Sequence, residues 1–360
     1  MKHILPGSVA MLKFAPLPLA TAVAVLMTAA VGVPAARACL WDSETMATES
    51  EKETIATEKG RFPEALQVLT GGFPRHSALF HEWRAAKCLK ALKGNPGQPA
   101  LYDDLAVSQH KLGRHREAVA TMRQKESVAP GLYETWSNLG TFYIYTGELK
   151  EAVACIDKAL GINPNAHFGR EKYQRWLVLW LMERQAAAAG REPPARESAG
   201  KEGEEPPCGF ARFVLNQQTP AGVRWTEEDR APAIKGILGM MRFADFDNPL
   251  LQEALGDVLI SGDWERNSAV NAAFAYCIAS TKAAEAAENR RLFGRFAVAV
   301  MPLGEKWTPK RVGKDVRALL AKGTALEAKV RRDEAAWLAA GKDLSVEFAR
   351  KYLTSGGAGK

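Results

Sequence analysis

Between residues 100 and 166 the apolar positions recur every three or four residues, the period of one face of an α-helix. Two copies of one pattern lie end to end. In the later copy Trp136, Leu139, Gly140 and Tyr143 mark one helix and Ala152 and Ile156 the next, with Gly147 between them and Pro164 behind. In the earlier copy Tyr102, Leu105 and Ala106 are followed by Gly113, Ala118, Met122 and Pro130. LGRHREAV aligns with TGELKEAV, and Pro130 and Pro164 stand 34 residues apart. Small residues at 140 and 152 predict two helices that cross closely. Gly147 predicts a left-handed helix terminus, which only glycine adopts without steric cost. Pro164 ends the second helix.

The same period extends to both sides. FPEALQVLTGGF and SALFHEWRAAKCLKALKGNP predict two helical segments before the first copy, read as a degenerate repeat. Residues 166–189 predict one helix with Tyr173, Trp176, Leu177, Trp180 and Leu181 on its apolar side, a cap on the last repeat. Residues 186–209 then lose the period and fill with Pro, Gly, Glu and Ala, the composition of a linker. Beyond it Pro232 is read as the start of one helix. Asn248 and Pro249 form the N-cap and first position of another. Leu255, Gly256, Leu259, Gly262, Ala272, Tyr276 and Ala279 suggest a further pair of helices around a glycine turn, lengthened by DWERNSAV. Two helices, at 285–301 and 309–340, close the chain. The second is capped by Thr308 and Pro309 and striped by Val312, Val316, Leu319, Leu326, Val330 and Trp337, which Gly323 and Asp333 interrupt. That stripe predicts a helical hairpin rather than a long coiled coil.

The order Trp136, Leu139, Gly140, Tyr143, Ala152, Ile156, Pro164 resembles a tetratricopeptide repeat, and the earlier copy departs from it at Gln109. Residues 248–284 resemble tetratricopeptide or Sel1-like repeats more weakly. The resemblance implies an all-α fold, with helical hairpin repeats stacked as a right-handed α-solenoid and a second helical module following. The expected layout is a repeat domain over 61–189, with repeats at about 99–132 and 133–166. A flexible linker at 190–209, a helical module at 210–284 and a C-terminal hairpin with a basic tail at 285–360 complete it. In such a stack the first helix of each repeat lines a concave groove that binds a protein or peptide. The implied groove residues are Asp103, Asp104, Val107, His110 and Lys111 from the first copy. From the second come Glu134, Ser137, Asn138, Thr141 and Tyr145. Some relatives clamp an acidic C-terminus with Lys, Arg and Asn. Asp103 and Asp104 oppose that specificity here. The alternative is a groove buried by the chain's own second half.

The first 38 residues change the picture of where this array works. Lys2 and Lys13 precede an apolar run from Phe14 to Val33, and Ala36 and Ala38 are spaced as a signal peptidase requires. The expectation is export, with cleavage between Ala38 and Cys39 and an N-terminal extension at 39–60. An uncleaved anchor and a lipoprotein linked through Cys39 are the alternatives. Prolines at 16, 18 and 34 favour cleavage, and Ala36 and Arg37 depart from a lipobox. No later segment is long and apolar enough to span a bilayer. Formal charge falls from +7 to +4 once the signal is removed, no footprint for nucleic acid. The excess gathers in residues 305–360, with 13 Lys or Arg against 7 Asp or Glu. Such basic helices either form a solvated face or touch a membrane surface peripherally.

Candidate chemistry is sparse. The cysteines at 39, 88, 155, 208 and 277 form no C-x-x-C, and Cys155 and Cys277 sit in apolar helical patterns as core residues. His81 and Glu82 begin an H-E-x-x-H motif, but Ala85 stands at its second histidine. His76 and His81, like His110 and His115, are five apart, poorly placed to share a metal on one helix face. There is no G-x-S-x-G and no phosphate-binding loop. The sequence therefore predicts no catalytic residues, no metal and no cofactor.

Overall fold

The computed structural model describes residues 40–45, 65–190, 209–218, 225–261, 266–300 and 303–353. The leader at 1–38 with its Ala38–Cys39 junction, most of the 39–60 extension, the linker at 191–208 and the turn at 262–265 lie outside the described residues. Among the described residues every regular element is helical, and no helix is long and apolar enough to cross a membrane. The fold is an all-α helical repeat.

The repeats form as two helical hairpins. Helix α3 (Pro99–Lys111) pairs with α4 (His115–Val128), and α5 (Tyr133–Thr146) with α6 (Leu149–Ile162). Gly147 turns the second hairpin at φ +87°. A methyl on Gly140 would meet Ile156 Cγ1 at 2.6 Å, so the Ile156 side chain fills the space that the missing Cβ leaves where α5 and α6 cross. Ala118, Met122, Ala152 and Ile156 are fully buried in the seam. Complete burial of one such Ile or Met contributes roughly 1.5–3 kcal/mol. Gln109, the departure in the first copy, accepts a hydrogen bond from Thr121 Oγ1 at 2.7 Å. A polar contact there replaces the usual large side chain.

The helices on either side follow a different plan from the expected one. Helices α1 (Ala65–Leu69) and α2 (Ala78–Gly94) do not form a repeat together. Helix α2 lies on α3, whereas α1 packs against two helices of the second half, α9 (Glu227–Phe243) and α11 (Arg266–Lys282). Gly71, just after α1, sits under the Phe246 ring, and a methyl there would meet that ring at 2.6 Å. Helix α7 (Arg170–Ala188) covers α6 with the predicted Tyr173, Trp176, Leu177, Trp180 and Leu181. It is not a terminal cap. Helix α9 covers its other side, and Gly236 admits the Tyr173 ring, 2.7 Å from where a methyl would stand.

Helix α9 starts at Glu227 rather than at Pro232, with Thr226 accepting the Arg230 N–H at 3.2 Å. One turn already exists before the proline, which removes one later hydrogen bond without ending the helix. Asn248 caps α10 (Pro249–Leu259) by accepting from the N–H groups of Leu250 and Leu251. Helices α10 and α11 form the second-half hairpin, and Gly256 lies beneath the Tyr276 ring as Gly140 lies beneath Ile156. Glu253 on α10 receives Arg184 of α7 at 2.9 Å, with Arg291 at 2.7 Å and Arg295 at 2.9 Å from α12 (Ala286–Val300). Asp257 accepts the Phe210 N–H of α8 (Phe210–Gln218) at 2.6 Å. These bonds join the last helix of the array to three helices beyond the linker.

The C-terminal helices are not a hairpin. Helix α13 (Pro309–Ala339) packs its first turns on α11 and α12, then runs on to α2. Gly323 is where it passes the Thr70–Gly71 turn, whose carbonyl oxygen on Gly71 would stand 2.9 Å from an added methyl. The residue that breaks the apolar stripe is thus the one that permits the crossing. Helix α14 (Leu344–Phe348) then folds Leu344 and Phe348 back into the protein. Two acids of this region pair with bases near the start of the described chain, Glu327 with Arg75 and Asp343 with Lys87, and within it Lys351 pairs with Asp333.

One apolar core runs from Leu40 through the repeats to Val316, and the described residues form one compact unit. The repeat domain and the second module are therefore parts of a single body. A protease that nicks the Pro- and Glu-rich stretch at 191–208 is expected to leave two fragments that elute together in gel filtration without denaturant. Fragments that separate under those conditions would show that the shared core does not hold the halves.

Candidate functional site

Helices α3 and α5 stand side by side and bring the ten groove positions together on one face. None of them is fully exposed. Asp103, Val107, His110, Ser137, Asn138 and Thr141 are buried, and Asp104, Lys111, Glu134 and Tyr145 are half-buried. The expectation of a surface open to a ligand is thus corrected, because other parts of the chain cover the groove. Lys111 donates to the carbonyls of Phe243 and Ala244 at 2.7 and 2.9 Å, closing the end of α9 onto α3. Thr141 accepts from Gln174 Nε2 of α7 at 3.1 Å. His110 packs its ring on Phe142 and Tyr145.

The other cover is residues 40–45. Asn138 faces the main chain of Trp41, accepting its N–H at 2.8 Å and donating to its carbonyl at 2.9 Å. Asp104 accepts both the N–H and the hydroxyl of Ser43, each at 2.9 Å. Arg84 of α2, held by Ser108 Oγ at 2.7 Å, donates to Asp42 at 2.7 Å. The other oxygen of Asp42 caps Thr45 through its N–H and hydroxyl, both at 2.8 Å. Burial alone would raise the Asp42 carboxyl, but Arg84 and Thr45 overcome it and hold the group below the usual range. Leu40 is 1% exposed, and Trp41 meets Tyr133 edge to face at 5.6 Å.

Beneath this segment lies a buried ion pair. Lys125 of α4, 1% exposed, donates to both oxygens of Asp103 at 2.8 and 2.6 Å. Asp103 also accepts from Asn138 Nδ2 at 3.2 Å, which fixes the carboxamide with its oxygen toward Trp41. Burial pushes the Asp103 carboxyl up to about 7, against the pull of the Lys125 ammonium.

A second polar cluster borders the groove. His76 is stacked between Phe80 and Phe348, with ring centroids at 3.5 and 3.7 Å. Its Nδ1 lies 2.6 Å from Glu334 of α13 and its Nε2 2.9 Å from Glu44. Glu334 is fully buried and also receives the N–H and hydroxyl of Ser77. Burial lowers the His76 pKa, but the two carboxylates outweigh it and leave it raised. His81, buried beside Arg84 with no such acid, is held well below its ordinary value, first by burial and then by cationic neighbours. A cleft of about 390 Å³ opens between these groups, Arg75 and the 241–246 corner.

The chemistry-bearing residues outside the groove are placed as follows. His110 and His115 do meet, with Nδ1 atoms 3.2 Å apart, because the turn at 112–114 brings the end of α3 over the start of α4. Cys88, Cys155 and Cys277 are buried free thiols, and burial pushes Cys88 and Cys155 up to about 11. No three His, Cys, Asp or Glu side chains converge as a metal site among the described residues. Sequence reasoning missed Arg84, Lys125, His76 and Glu334, and the occupant at 40–45. The apolar pair Leu40–Trp41 directly after the leader was the signal available for that occupant.

The comparisons with known proteins agree with the geometry of this region. Residues 133–166 match the family model for the tetratricopeptide repeat. A stretch of 76 residues is 26% identical to the small glutamine-rich tetratricopeptide repeat-containing protein 2 of Mycosarcoma maydis. That stretch spans 21% of this chain and 22% of the relative, so the likeness is confined to about a fifth of either.

Two measurements check the electrostatics. Asp103→Leu leaves the Lys125 ammonium buried and unpaired, and is expected to cost about 3–5 kcal/mol in urea unfolding. Adding Lys125→Met removes the orphaned charge and is expected to restore most of that loss. His76 has a raised pKa, so its contribution is full below the unfolded value of about 6.5 and is lost as pH rises through the folded value. The stability gap between the wild type and His76→Gln is therefore expected to narrow between pH 5.5 and pH 9.

Proposed function

We propose that this chain, which matches the tetratricopeptide repeat at 133–166 and repeats its helical hairpin, is a non-enzymatic interaction scaffold of the cell envelope. Its repeats hold extended polypeptide in the concave groove. The observation that carries this reading is the Asn138 carboxamide, which pairs with both the N–H and the carbonyl of Trp41. A side chain that engages both groups of one residue recognises extended backbone as such, and neighbouring side chains then supply selectivity. Asp104 adds a contact to the main chain by accepting the Ser43 N–H, which supports the binding of polypeptide here. Export is supported by the leader at 1–38 and by Ala36 and Ala38 before Cys39, with action in the periplasm or at the envelope. A lipid on Cys39 or the basic C-terminal helices would hold the chain to a membrane surface.

A second reading is favoured by the cover over Asp104, Lys111, Asn138 and Thr141: the repeats pack only against their own chain. One experiment decides between the two. A photo-reactive phenylalanine analogue replaces the half-buried Glu134 in the full chain, expressed in its native cells. Under the scaffold reading, irradiation yields adducts to other polypeptides in the envelope fraction, and the recovered chain has a mass that begins at Cys39. Adducts confined to the chain itself would leave the self-contained reading, and a chain recovered only from the cytoplasm would remove the envelope.

A further inference from the structure

Residues 40–45 lie in the groove as a ligand would, 40–42 non-helical and 43–45 the start of a helix capped by Asp42, and their contacts sort into two kinds. Trp41 N–H and C=O and Ser43 N–H bind through the main chain, independent of sequence. Leu40, Trp41, Asp42 and Ser43 bind through side chains: an aliphatic group in the core, an aromatic ring against Tyr133, a carboxylate on Arg84 and a hydroxyl on Asp104. We propose that this segment is an exchangeable occupant, and that the scaffold's partner carries a segment of the same chemistry and shape: an aliphatic and an aromatic residue in non-helical conformation, then an acidic N-cap and a hydroxyl that opens a helical turn. The proposal rests on the scaffold reading and adds to it both the partner's recognition pattern and the competitor it must displace.

The receptor side is arranged to survive vacancy. Arg84 keeps Ser108 and has a second carboxylate, Asp104, 4.0 Å away, so departure of Asp42 leaves no cation without an acid. Asp103 keeps Lys125, and Asn138 keeps Asp103. A segment needed only to complete the fold would leave a buried charge unmatched on leaving, and this one does not. Nineteen residues of sequence separate Thr45 from α1. That length reaches roughly 60 Å when extended, so the segment leaves the groove without moving the helices. Tethering also gives it a high effective concentration, so a partner in trans binds with an affinity reduced by the fraction of time the groove is empty.

The test uses the full processed chain and a fluorescent peptide of residues 40–45. Asp42→Lys sets an ammonium against Arg84 and is expected to free the segment, read as fast hydrogen exchange at the Trp41 and Ser43 amides. The variant is then expected to bind the peptide at least tenfold more tightly than the wild type. Asn138→Ala added to it abolishes the gain, and a scrambled peptide does not bind. A freed segment with no peptide binding overturns the proposal. So does wild-type exchange at Trp41 and Ser43 as slow as at Leu139 in the core, a measurement that needs no variant. A wild-type dimer formed by trading segments, seen in sedimentation, would overturn it by making the groove a self-association site. Failure here with envelope adducts still formed at Glu134 would discard the recognition pattern and leave the scaffold standing.

Discussion

The carboxamide of Asn138 is the contact on which the array's concave side depends. It is fully buried on α5, and a buried amide that lacks partners costs about 1–3 kcal/mol. It has three partners in two places: Asp103 on the preceding repeat, and the N–H and carbonyl of Trp41. Asp103 is in turn fixed by Lys125 from the second helix of its own hairpin. One side chain therefore registers two repeats against each other and orients the segment at 40–45 across both. The ion pair beneath it adds little net stability against an apolar substitute, but it fixes where each oxygen points.

The second constraint is that the repeats never present a free end. Tetratricopeptide units bury their faces on neighbours, and here α7 finds its neighbour in α9, from beyond the linker. The Arg184–Glu253 bond and the Gly236–Tyr173 contact join the two stretches of chain at that seam. Helix α13 then returns across the molecule. Gly323 lets it touch the Thr70–Gly71 turn, and Glu334 ends the crossing in contact with His76 and Ser77. Because Glu44 also meets His76, the cluster that fastens the last long helix also borders the segment in the groove. The two ends of the described chain are thus held at one place.

The sequence by itself determined the two repeat hairpins at the centre of the array and the phase of their helices. Trp136, Leu139, Gly140, Ile156 and Pro164 encode their own geometry, since periodicity, a small residue at a crossing and a proline stop act over a few turns of chain. The same local signals placed Asn248 and Thr308 as caps and gave the apolar side of α7. They also put the ten groove positions on one face, because helical phase is a property of α3 and α5 alone.

What covers that face was decided only by tertiary structure. Nothing near Lys125 states that its ammonium ends in the core against Asp103. Nothing near Gly323 states that Thr70 and Gly71 lie opposite it. Trp41 and Asn138 are 97 residues apart, and Glu334 and His76 are 258 apart. Pairings at such separations depend on which helices pack together, and packing is set by the summed burial of the whole core rather than by any local pattern. The same reason made one body of what composition divides at a linker. A stretch of Pro, Gly and Glu reports only that it lacks a core of its own, and the surfaces on either side decide whether they share one.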